Sequence, residues 1–207
     1  MIAILVVLAR HKKIKSIKDF LRLIFHTPSI LKTIIITITF CAAALCVALI
    51  YGTPTGSHWY MMFAALPVMI IGGGVEEVGW RGFLQPALEK KFPFPISMMI
   101  VIPIWYTWHI PLWFLPSSNH YGDSLIGFAI MIVVWSFALA ALYKVTESVF
   151  ACVMYHAFVN SIGSVYDWNA LFDKFPNEIG MYFYFGVLFV VSIIIWVLAD
   201  KRNKQTV

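Results

Sequence analysis

Long, uninterrupted apolar runs dominate the chain, and six of them are long enough to cross a membrane. A helix needs about 20 consecutive apolar residues to span the hydrocarbon layer. The predicted spans are Thr33–Tyr51, Trp59–Gly82, Ile96–Leu115, Ser124–Tyr143, Ser148–Tyr166 and Ile179–Ala199. The pattern therefore predicts an all-α fold, a polytopic bundle of about six transmembrane helices.

Before the first span, basic residues alternate with isoleucine, leucine and phenylalanine over residues 10–32. This pattern is typical of a helix lying on an anionic membrane surface, and it also acts as a topology signal. We predict a basic interfacial segment, residues 1–32, followed by a transmembrane domain, residues 33–207. The run Ile2–Ala9 is too short to span a membrane, and the sequence leaves open whether it is part of an additional helix.

Composition supports the membrane assignment. Hydrophobic residues make up 61% of the chain and charged residues 12%, against about 45–50% and about 25% in soluble domains. This balance excludes a soluble enzyme or a disordered chain. It predicts that the protein contacts membrane lipids and does not bind nucleic acid. Cys41, Cys46 and Cys152 all lie in apolar runs without C-x-x-C spacing, so neither a disulfide framework nor a thiolate metal site is expected.

The basic residues fall on one side of the predicted six-span zigzag. Of the 15 lysines and arginines, the only exceptions are Arg81, inside a span, and Lys174, in an opposite loop. Cytoplasmic loops carry the excess of lysine and arginine in membrane proteins. The sequence thus predicts a multi-pass plasma-membrane protein with both termini in the cytoplasm.

Few ionisable residues remain at membrane depth: Glu76, Glu77, Arg81, His109 and His156. A charge at a helix centre costs roughly 2.5–3.5 kcal/mol, so such residues usually line a functional cavity. Glu77 and Arg81 are spaced i, i+4, which favours an ion pair on one face. Glu76 is turned about 100° from Glu77 and faces elsewhere.

Two further i, i+4 pairs carry polar chemistry. Trp105 shares a helix face with His109, and His156 shares one with Asn160. Taken alone, Glu77 and Arg81 could be a structural ion pair, and His156 and Asn160 could form hydrogen bonds between helices. Two carboxylates, two imidazoles and an amide together favour a hydrolytic site.

The chain contains three motifs in order: Glu76-Glu77-x-x-x-Arg81, Trp105-x-x-x-His109 and His156-x-x-x-Asn160. Together they resemble the signature of the CAAX protease and bacteriocin-processing family, also called CPBP or Abi. These are intramembrane endopeptidases that include the type II CAAX prenyl endopeptidase. The resemblance covers about residues 69–164. The chain departs from the family at Trp105, where phenylalanine is usual, and this puts only local packing or substrate fit in doubt.

The resemblance implies a helical cavity open towards the cytoplasm and a membrane-associated peptide or lipidated protein as substrate. It implies that Glu76 activates water, that His109 and His156 position the water or a metal, and that Asn160 donates to the oxyanion. Glu77 and Arg81 would support the site.

The sequence is compatible with catalysis with or without a metal. Glu76, His109 and His156 form a set that could hold a divalent metal such as zinc with one open position. The H-E-x-x-H spacing of soluble zinc proteases is absent, and a metal-free mechanism uses the same residues. No organic cofactor is expected.

Two other functions compete with peptide hydrolysis. A non-catalytic membrane scaffold or bacteriocin-immunity protein would use the cavity for binding only. A small transporter also places ionisable residues in the membrane, but the sequence has no repeat symmetry or paired broken helices.

Overall fold

The computed structural model describes residue 10 and residues 14–118, 120–167 and 186–198. These residues form seven helices: α1 (Ile17–Phe25), α2 (Ile30–Tyr51), α3 (Met61–Glu89), α4 (Phe94–Phe114), α5 (Leu125–Thr146), α6 (Val149–Ile162) and α7 (Gly186–Leu198). Helices α2 to α5 are each long and apolar enough to cross a membrane. The predicted all-α membrane bundle is confirmed.

The first four predicted spans correspond to α2–α5, although α3 continues to Glu89, well past the predicted end at Gly82. Helix α6 is shorter than its predicted span. Its 14 residues cover about 21 Å at 1.5 Å per residue, less than the roughly 30 Å hydrocarbon layer. Helix α7 is the described part of the sixth predicted span. The rest of that span and the run Ile2–Ala9 lie outside the described residues.

The chain after α6 forms the one strand pair found within the described residues. Strand β1 (Thr53–Pro54) pairs antiparallel with β2 (Tyr166–Asp167). Hydrophobic periodicity did not predict this pair, because two residues are too few to show an alternation. The pairing ties the loop after α2 to the loop after α6.

Helices α5 and α6 form the centre of the bundle. Most α6 residues are buried, and α5 contributes a run of small and apolar buried residues from Ala138 to Leu142. Helix α3 approaches α6 closely at Gly74, where a Cβ atom would lie 2.7 Å from the Val153 carbonyl oxygen. A residue without a side chain is therefore needed at this crossing.

The bundle has two chemically different ends. At the basic end, Lys32 donates to the Val145 carbonyl (2.7 Å) and Lys144 lies 3.9 Å from Glu89. At the loop end lie residues 52–60, 115–118, 120–124 and 163–167, including the exposed aromatic side chains of Trp59 and Tyr60.

Helix α1 packs against the bundle near its basic end. Ser16 caps it by accepting from the Asp19 N–H, and Asp19 accepts from the Lys15 N–H, which holds the pKa of Asp19 below its usual range. Its inner side chains include Leu23, which packs beside Val149 and Val153. Ile17, Leu21 and Phe25 are exposed at i, i+4 and i+8. Such an uncovered apolar stripe suits contact with a lipid surface.

Candidate active site

Helix α3 is irregular where it carries the two glutamates. A 3₁₀ turn (Gly74–Glu76) follows α-helix, and after one α turn (Glu77–Gly79) the backbone forms a π turn (Trp80–Leu84). The sequence suggested a regular helix here, because periodicity does not reveal such local changes of winding. Single π turns inside helices are frequent at functional sites.

Glu77 is fully buried and joins two helices. Its Oε2 atom lies 2.8 Å from Arg81 Nη1, and its Oε1 atom lies 2.7 Å from His156 Nδ1 on α6. The i, i+4 ion pair expected from the sequence is present. The contact with His156 was not expected, because periodicity relates residues within one helix and not across two.

Arg81 is also fully buried and has partners besides Glu77. Its Nη2 donates to the Ser136 carbonyl of α5 at 3.2 Å, and its guanidinium carbon lies 5.0 Å from the centroid of the Trp105 ring. A buried cation needs such compensation to remain charged. Arg81 thereby links α3 to α4 and α5.

Glu76 faces away from this pair, as its helical position predicts, and three indole N–H groups surround its carboxylate. Trp105 and Trp80 donate to Oε2 at 3.2 and 3.4 Å, and Trp108 donates to Oε1 at 3.4 Å. The Glu76 side chain is 23% exposed. Trp105 therefore does more than alter packing: its indole N–H reaches the carboxylate, which phenylalanine could not do.

His109 presents one ring nitrogen to Glu76. Its Nδ1 lies 2.9 Å from the Trp105 carbonyl oxygen, which can only accept, so Nδ1 carries a proton. In the neutral ring Nε2 is then an acceptor, and it lies 4.0 Å from Glu76 Oε2. Two acceptors at this separation can share one water molecule that donates to both.

His156 and Asn160 come together beside Gly73. A Cβ atom on Gly73 would collide with Asn160 Nδ2 and lie 3.2 Å from His156 Nε2. Because Nδ1 of His156 is held by Glu77, Nε2 is the ring nitrogen left for another partner. The Asn160 side-chain amide has no hydrogen-bond partner among the described residues.

A cavity of about 500 Å³ adjoins these side chains. Its walls include Trp105, His109, His156 and Asn160, and apolar side chains such as Met131 complete them. Glu76 does not itself line the cavity; it lies behind Trp105 and His109, which do. The structure thus brings His109, His156 and Asn160 to one cavity, and Glu76 contacts two of its wall residues, Trp105 and His109.

The cavity extends to the loop end, where Thr55, His120, Ser164 and Asp167 line it. The basic end, marked by Lys32 and the helix termini near it, lies opposite. The described N-terminal helix α1 and the loop-end part of the cavity therefore lie towards opposite ends of the bundle. If α1 lies on the cytoplasmic side, as the charge pattern predicts, the cavity does not open to the cytoplasm, contrary to what the family resemblance implies.

The proposed metal ligands are not arranged as a ligand set. In the part of the chain that the structure describes, no three His, Cys, Asp or Glu side chains are grouped so as to hold one ion. Glu76 and His109 approach only to 4.0 Å, and Nδ1 of His156 is engaged by Glu77. The metal site at Glu76, His109 and His156 remains a prediction.

The sequence did not predict the contacts that several other residues make in the site. Trp80 is spaced i+4 from Glu76, so helix periodicity could have identified its contact. Gly73 and Trp108 reach the site only through packing between helices, which no pattern within one helix shows. His120 lies in a loop and carries no motif.

Comparisons with known proteins identify the family of this chain. The family model described as type II CAAX prenyl endopeptidase Rce1-like matches residues 58–162. The chain is similar to CAAX prenyl protease 2 of Methanococcus maripaludis, with 28% identity over 130 residues, which cover 56% of this chain and 48% of the relative. The chain thus spans about half the length of that curated relative. No solved structure matches it significantly. The matched region contains all three motifs, and the chain belongs to the Rce1-like family of type II CAAX prenyl endopeptidases.

Proposed function

We propose that this membrane protein is an intramembrane endopeptidase that hydrolyses a peptide bond in a lipidated, membrane-associated peptide. The proposal rests above all on the 4.0 Å separation of Glu76 Oε2 and His109 Nε2. A water molecule held between these acceptors is positioned for activation by the carboxylate. The family match supports the same chemistry.

In the proposed reaction Glu76 takes a proton from the water as its oxygen attacks the peptide carbonyl carbon. His109 accepts the second hydrogen bond from that water and fixes its direction. When the tetrahedral intermediate collapses, the C–N bond breaks and the proton passes from Glu76 to the leaving amine. The products are a new carboxyl terminus and a free amine, so the atoms balance without a co-reactant.

Asn160 is the proposed oxyanion donor. Its amide lines the cavity, has no partner among the described residues and lies beside Nε2 of His156. A preorganised donor of this kind typically contributes about 10²–10³ in rate. Glu77 and Arg81 act through His156, because the buried carboxylate holds Nδ1 of that ring.

The substrate class follows from the cavity and from the family. Trp105, Phe128, Met131, Ile132 and Trp135 give the cavity an apolar wall, which suits a lipid chain next to the peptide. The matching relative is named a CAAX prenyl protease. We therefore place a prenylated cysteine against this wall and the scissile bond near His156 and Asn160.

The test uses purified protein in liposomes and a farnesylated peptide ending in Cys-aliphatic-aliphatic-X, incubated in H₂¹⁸O. Cleavage should yield a shortened peptide with one ¹⁸O atom in its new carboxyl terminus. The same peptide without the lipid is the control and should be cleaved more slowly. If the farnesylated peptide is bound but never cleaved, the protein is a scaffold and the proposed function is wrong.

A further inference from the structure

The cavity contains a second histidine held by a carboxylate, at a position outside the three family motifs. His120 Nδ1 lies 3.2 Å from Asp123 Oδ2, in the loop between α4 and α5. This is the arrangement seen at His156, where Nδ1 meets Glu77. In both cases the carboxylate fixes the ring and leaves Nε2 for another partner.

The loop around His120 is built to hold this ring. The imidazole stacks on Trp113 with a centroid separation of 4.9 Å and an interplanar angle of 15°, and it meets the Phe128 ring edge-on at 5.0 Å. Trp113 also donates its indole N–H to the Asp123 carbonyl at 2.8 Å. The same tryptophan therefore orients both members of the pair.

The orientation of the His120 ring is fixed, but one of its two nitrogens lacks a hydrogen-bond partner among the described residues. The ring lines the cavity, and Nε2 has no hydrogen-bond partner among the described residues. A side chain this restrained has already lost its rotamer freedom, so it can bind a ligand at a low entropic cost. His58, also at the loop end, differs: it stacks on Tyr60 and does not line the cavity.

The distance from the reacting water decides which part of a substrate His120 can meet. The ring centroids of His120 and His109 are 6.3 Å apart. An extended peptide advances about 3.3 Å per residue, so this separation corresponds to about two residues. Because His109 holds the attacking water, while the scissile bond lies near His156 and Asn160, this separation suits a contact of His120 further along the peptide.

We propose that His120, oriented by Asp123, is a substrate-binding residue that hydrogen-bonds the peptide backbone about two residues from the scissile bond. The proposal rests on the proposed endopeptidase function and assigns a specificity-determining contact to the same cavity. Asp123 is a positioning residue that acts only through His120.

The kinetic test compares His120→Gln, Asp123→Asn and the matched control His58→Gln on the farnesylated peptide. Loss of one hydrogen bond should raise KM about five- to tenfold for His120→Gln, with kcat within about twofold of wild type. Asp123→Asn should raise KM less, and His58→Gln should change neither constant. A fall in kcat at constant KM, or wild-type constants for His120→Gln, would overturn the proposal.

A binding test separates this inference from the proposed function. In a Glu76→Gln background the same labelled peptide should bind without turnover, and His120→Gln should weaken its Kd about five- to tenfold. Binding that is sensitive to His120, together with an absence of cleavage by wild type, would refute the endopeptidase function and support the His120 contact. Binding that is insensitive to His120 would refute the contact alone. Failure of the peptide to bind would contradict both.

Discussion

His156 Nδ1 lies 2.7 Å from one oxygen of Glu77, and the other oxygen of the same carboxylate lies 2.8 Å from Arg81 Nη1. One buried anion therefore joins a cation on its own helix to an imidazole on α6. The adjacent Glu76 has no lysine or arginine partner among the described residues, and indole donors surround it. The two glutamates of the motif thus have different surroundings and should respond differently to substitution.

Replacing Glu77 should destabilise the protein. Glu77→Gln leaves Arg81 buried without its anion, which typically costs about 3–5 kcal/mol. The double variant Glu77→Gln with Arg81→Met removes the stranded charge and should melt at a higher temperature than Glu77→Gln alone. Thermal melting in detergent measures the stability of the single and the double variant. A double variant no more stable than the single one would show that the ion pair is not what Glu77 contributes.

Gly73 should be essential for activity because its lack of a side chain leaves room for the substrate beside His156 and Asn160. Gly73→Ala places a methyl group against Asn160 Nδ2 and His156 Nε2, where we place the reacting carbonyl. Gly72→Ala is the matched control, since its Cβ would meet no atom within 4 Å. We expect Gly73→Ala to lose at least about 10²-fold in cleavage, the effect of losing one oxyanion donor, and Gly72→Ala to keep wild-type activity. Equal activity of the two variants would show that the oxyanion does not bind beside Gly73.

The sequence predicted those parts of the site that lie within a single helix. The pairing of Glu77 with Arg81 and the separate facing of Glu76 follow from 3.6 residues per turn. The contact between Glu77 and His156 and the approach of Trp108 to Glu76 arise from how α3, α4 and α6 pack, so no single-helix pattern contains them. The loop-end strand pair and the place of His120 depend on tertiary structure in the same way.

The side of the membrane that the cavity faces can be measured directly. In a chain whose native cysteines are replaced by alanine, Ser57→Cys marks the loop end and Lys91→Cys the basic end; both positions are exposed. The positive-inside rule predicts that a membrane-impermeant maleimide labels Ser57→Cys but not Lys91→Cys in intact cells. The reverse pattern would place the cavity mouth in the cytoplasm, as the family resemblance implies.

Metal removal tests whether cleavage uses side chains alone. The proposed reaction is written with the side chains of Glu76, His109 and Asn160 alone. Treatment with a chelator should therefore leave cleavage of the farnesylated peptide unchanged. Loss of activity that is restored by added zinc would establish the metal site predicted from these three residues.

The central claim, that Glu76 activates the attacking water, is tested most directly by cleavage of the farnesylated peptide by Glu76→Gln at equal amounts of folded protein. Removal of a general base typically costs about 10²–10⁴ in rate. We predict a loss of this size with an unchanged melting temperature, because the partly exposed Glu76 side chain carries no buried ion pair. Glu147→Gln, at an exposed carboxylate at the end of α5, is the control and should retain wild-type cleavage. Wild-type cleavage by Glu76→Gln would contradict the account.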